Sequence, residues 1–104
     1  MTDIKTYLIC ESIDTENLFW KVDKWFNDNI DERDKFNELL INTRNNNNII
    51  NQDNVSAYIQ VNDIKPFVDF ITDNTLGTEV FDYVYIFKKI IQLILANKSY
   101  KLIK

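Results

Sequence analysis

Val55-Ser56-Ala57-Tyr58-Ile59-Gln60-Val61 alternates along its length, the period-two pattern of a strand with one face buried. A strand here needs a neighbour to pair with. Residues 4–11 supply one candidate, since Tyr7-Leu8-Ile9-Cys10 is a short apolar run of the kind found in buried strands. The tail Ser99-Tyr100-Lys101-Leu102-Ile103-Lys104 offers a third short strand.

The segments between these runs carry helical spacing. After Asp14 or Thr15 as a cap, Leu18, Phe19, Val22, Trp25, Phe26 and Ile30 recur on one arc. A second helix is expected from Asp31, with Asp34 placed as a capping-box acid and Phe36, Leu39, Leu40 and Thr43 on one face. The asparagine run 45–48 ends it. Asn62 or Asp63 caps a short helix with Pro66 in its first turn, where a missing N–H is harmless. Gly77 punctuates the next join, and Thr78 is the expected cap of the longest helix, running to about Ala96. The sequence therefore predicts one α+β domain over residues 1–104, about four helices on a two- or three-stranded sheet. An all-helical bundle is the alternative should the strands fail.

Composition restricts the chemistry. The chain has 104 residues, one cysteine and no histidine. A lone Cys10 excludes an intramolecular disulfide and a cysteine metal cluster. Without histidine, the commonest general base and the commonest transition-metal ligand are both missing. No cofactor and no enzymatic activity are expected. The opening Met1-Thr2-Asp3-Ile4-Lys5 lacks the pattern of a secretory signal. The apolar-rich stretch 80–96 is broken by Asp82, Lys88, Lys89 and Gln92, so no membrane span is expected and the cytoplasm is the expected compartment. Abundant Asn, Ile and Lys beside scarce Gly, Pro, Ala and Arg indicate an AT-rich genome, that of a low-GC bacterium, its phage, or a eukaryotic parasite or virus, with the host cytosol as compartment in the phage or virus case.

Two groups of acids invite a metal-site reading. Asp53, then Asp63-Ile64-Lys65, is spaced like the acid and acid-x-lysine of a metal-dependent nuclease. Pro66 interrupts the strand that such a site needs, and Asp63 reads better as a helix cap. Asp28, Asp31, Glu32 and Asp34 lack the alternation and central glycine of a calcium loop; acids near a helix N-terminus are favoured by its dipole in any case.

The charge pattern is more directive. Residues 1–87 hold all 16 acids and seven bases, or −9, while residues 88–104 hold five lysines, or +5, together the −4 of the whole chain. A net acidic chain disfavours direct nucleic-acid binding, where phosphate neutralisation dominates. It suits a protein target with a basic surface. Trp20 lies nearly opposite the apolar arc of the first helix, among Asp23, Lys24 and Asn27, as an interface anchor would. The expected partner-binding residues are Trp20, Asp23, Asp69, Asp73, Glu79 and Asp82, and the expected role is a small acidic inhibitor or immunity-type protein. The last helix carries an apolar arc of about 200°. That width marks it as the domain's central helix or, on a second reading, as a homodimer interface through Ile86, Ile90 and Leu93 of a structural subunit.

Overall fold

The alternating segment is a helix. The computed structural model describes residues 4–47, 50, 52–73 and 82–97. These form α1 (Ile4–Glu11), α2 (Thr15–Asp28), α3 (Ile30–Asn45), α4 (Gln52–Val61), α5 (Lys65–Ile71) and α6 (Tyr83–Ala96), with no strand among the described residues. The fold is all-α, which corrects the α+β expectation in favour of the helical alternative.

Both expected strands fail for the same physical reason. Short apolar runs satisfy strand and helix periods at once, and the buried set decides between them. In α4 the buried residues are Val55 and Tyr58, continued by Asn62, a spacing of three and four. Ala57 and Val61, which a strand would place beside Val55 and Ile59, are exposed instead. In α1 the buried pair is Thr6 and Cys10, one helical turn apart. The third expected strand, 99–104, lies outside the described residues.

Several helix boundaries follow the local chemistry. Asp14 caps α2, its carboxylate accepting from the Glu16 N–H at 3.0 Å. The single residue Asn29 joins α2 to α3, and its side chain makes no capping bond, so the expected capping box near Asp34 is not formed. Pro66 sits in the first turn of α5, and the Asp63 carboxylate accepts from the Lys65 N–H at 3.1 Å. Asp82, rather than Thr78, caps α6 through the Tyr85 N–H at 3.0 Å. Gly77 and Thr78 lie outside the described residues.

Helix α6 is the centre. It packs against α1, α2, α3 and α5, while α4 packs on α3. Its Ile86, Phe87, Ile90, Ile91, Ile94 and Leu95 are all buried. The middle of the core is aromatic: Phe36 stacks on Phe26 with ring centres 4.5 Å apart and meets Phe67 at 5.5 Å and Phe87 at 6.3 Å. Tyr58 of α4 stacks on Phe87 at 5.4 Å, tying the outer helix to the central one.

Candidate functional site

Two surfaces stand out once the core is assigned, and the first is α1. Helices α2, α3, α5 and α6 each bury several large apolar side chains, whereas α1 buries none fully and packs only Ile9 partly against the core. Its buried residues are Thr6 and Cys10, whereas Ile4 is 73% exposed, Leu8 58% and Tyr7 50%. These three stand at i, i+3 and i+4, so they form one face. Fully burying a leucine or isoleucine is worth about 1.5–3 kcal/mol, and this face leaves that energy unused within one copy. Thr6 is fully buried, and its hydroxyl accepts from the Asp82 N–H at 3.4 Å, fastening α1 to the start of α6. Burial pushes the Cys10 thiol above its ordinary value, and the nearby Lys89 opposes that rise.

The second surface surrounds Trp20. On α2, Leu18, Val22 and Phe26 are buried, and the opposite side presents Trp20 at 62% exposure. Trp20 lines a cleft of about 360 Å³ with Asp23, Lys24, Asn27 and Arg33. The first four share a face of α2, and Arg33 reaches the cleft because the one-residue join at Asn29 brings the start of α3 alongside. The sequence brought Trp20 and Asp23 together on one face; Arg33 was missed, because its approach depends on the turn.

The remaining expected partner-binding acids have structural tasks. Asp69 accepts from the Tyr83 hydroxyl at 3.2 Å. Desolvation, then the bond to Asp69, raises the Tyr83 phenol above its ordinary value. Asp73 takes the Lys21 ammonium at 2.7 Å. Asp82 caps α6. Glu79 lies outside the described residues. Asp69, Asp73 and Asp82 are thus each engaged at a helix end or between helices.

The expected dimer residues on α6 are also placed differently. Ile86 and Ile90 have no exposed surface within a single copy, and Leu93 is half-buried against the core. The first two are covered by the chain's own helices, so a second copy cannot meet their side chains. The nuclease trio does not assemble as paired strands either. Asp53 stands in the first turn of α4, and Asp63 precedes α5. Among the described residues no group of three or more His, Cys, Asp or Glu is placed to hold a metal ion. No helix among them is long and apolar enough to cross a membrane.

The chain matches no family model, no curated protein and no solved structure.

Proposed function

We propose that the chain is a non-catalytic structural subunit that pairs with a second copy of itself, using α1 in place of the expected α6 face. The observation that carries this reading is the outward apolar face of α1, where Ile4, Tyr7 and Leu8 stand exposed while Thr6 and Cys10 are buried and Ile9 packs partly on the core. The charge arrangement favours a second copy as the occupant. Lys5 and Glu11 are exposed and stand three residues before and after Leu8. In an antiparallel twofold pair with Leu8 on the axis, Lys5 of one copy lies opposite Glu11 of the other, twice over. An isologous contact of this kind is complementary without any foreign sequence. Elsewhere the net charge of −4 makes two copies repel.

The size of the face sets the strength. An eight-residue helix is about 12 Å long and about 10 Å across, so its face covers on the order of 100 Å², well short of the roughly 800 Å² per partner that a stable interface buries. The pair is therefore weak and reversible on its own, and it gains strength where several copies are held together in an assembly. The acidic-inhibitor reading has less support, because Asp69, Asp73 and Asp82 serve intramolecular contacts.

Sedimentation equilibrium tests the proposal over micromolar to millimolar protein. The native chain should show a monomer–dimer equilibrium that Leu8→Glu abolishes while the helical circular dichroism stays intact. Lys5→Glu and Glu11→Lys should each weaken pairing, and the double exchange should restore it. A native chain that stays monomeric throughout would sink the reading.

A further inference from the structure

We infer that the Trp20 cleft is a second docking site, and that its occupant is a short acidic peptide segment of another protein carrying one bulky apolar side chain. The inference is independent of self-pairing through α1 and reverses the charge of the partner expected from the sequence. The whole chain is acidic, yet the ionisable side chains lining this cleft are Lys24, Arg33 and Asp23, two cations against one anion. Among the described residues Lys24 makes one exposed ionic contact, 3.6 Å to Asp28 one turn along the same helix, a weak kind of pair that a competing carboxylate can displace. Among the described residues Arg33 takes part in neither salt bridge. Its guanidinium presents a planar fork suited to a carboxylate.

Trp20 supplies the apolar half. An indole 62% exposed at the edge of a cleft offers a large rigid surface at little entropic cost, and tryptophan is enriched among residues that dominate binding energy. The cleft's volume of about 360 Å³ lies at the small end of ligand sites, room for one bulky side chain with its flanking backbone. A basic segment would meet two like charges and one opposite charge beside the indole, whereas an acidic one meets two opposite charges and one like charge.

The test uses the full chain labelled with ¹⁵N and two blocked peptides, each with a central phenylalanine, flanked by glutamates in one and by lysines in the other. The glutamate peptide should move the Trp20 indole N–H signal saturably and bind at least about tenfold more tightly than the lysine peptide, a difference of about 1.4 kcal/mol. Trp20→Ala should remove binding, and Arg33→Glu should invert the preference. Leu8→Glu, which disrupts pairing through α1, should leave peptide binding unchanged and so separates this site from that interface. Equal or tighter binding of the lysine peptide, no shift of the Trp20 indole with either peptide, or an unaltered preference in Arg33→Glu would each overturn the assignment.

Discussion

The Lys21 ammonium lies 2.7 Å from the Asp73 carboxylate and 3.3 Å from the Ile71 carbonyl oxygen, so one side chain of α2 closes the C-terminal end of α5. Asp73 holds a left-handed backbone, with φ of 59°, a conformation that asparagine and aspartate tolerate and glycine adopts freely. The lysine is nearly covered, at 12% side-chain exposure, whereas the aspartate is 71% exposed.

That asymmetry predicts unequal costs for breaking the pair. Lys21→Met keeps the apolar stem but strips a donor from the Ile71 carbonyl, and should cost about 1–2 kcal/mol. Asp73→Asn keeps the backbone tolerance and loses only a screened charge, so it should cost less than about 1 kcal/mol. Asp73→Ala adds left-handed strain and should be worse than Asp73→Gly by about 1 kcal/mol. Urea unfolding midpoints of the four variants check the order.

Phe36 is the residue whose truncation should hurt most. It has no exposed surface and meets the rings of Phe26, Tyr58, Phe67 and Phe87. Phe36→Ala opens a cavity where α2, α3, α4, α5 and α6 converge, and should cost about 3–5 kcal/mol. Domains are stable by only about 5–15 kcal/mol, so the variant should lose much of its cooperative thermal transition. Phe36→Leu should retain that transition at a lower temperature.

The same convergence explains what was legible in the sequence. Helices α2, α3, α5 and α6 announced themselves through apolar residues spaced three and four apart, strongly enough to place Trp20 opposite the buried arc of α2. The two errors of type, α1 and α4, fall on short runs where strand and helix periods coincide. Tyr58 decides α4, because a strand would turn it away from Val55 while the helix buries both. For α1 the missed signal was the pair Thr6 and Cys10, a modest buried stripe beside a more apolar outward one. The apolar run Tyr7-Leu8-Ile9-Cys10 therefore reads as a strand, although only Cys10 of the four is fully buried. The cleft was half legible: its α2 residues share a helical face, but Arg33 arrives through the turn at Asn29, which no periodicity reports.

Stability should fall on the alkaline side. Burial, with a smaller push from Glu32, holds the Tyr58 phenol well above its ordinary value of 10.0. Burial likewise raises the Cys10 thiol above its ordinary 9.0, against the opposing charge of Lys89. For both groups the folded state keeps the proton more tightly than the unfolded state. Their contribution is fully present below the unfolded values and is lost as pH rises past them towards the raised folded ones. Urea midpoints should therefore be flat near neutrality and drop above about pH 9, with Tyr58→Phe flattening the upper part of the fall. A midpoint that holds steady through the tyrosine range would contradict the burial of Tyr58.

The two tryptophans should report opposite environments five residues apart. Trp20 is 62% exposed, whereas Trp25 is partly buried against Phe67 and Phe70, with ring centres 6.0 and 5.8 Å away. Both lie on α2, so their difference arises from helix phase and not from distance along the chain. In Trp25→Phe the remaining emission should be red-shifted and readily quenched by acrylamide. In Trp20→Phe it should be blue-shifted and protected, with a quenching constant several-fold lower, because the ring is packed among aromatic neighbours. Equal quenching in the two variants would mean that α2 presents neither residue as described, and the cleft around Trp20 would lose its exposed indole.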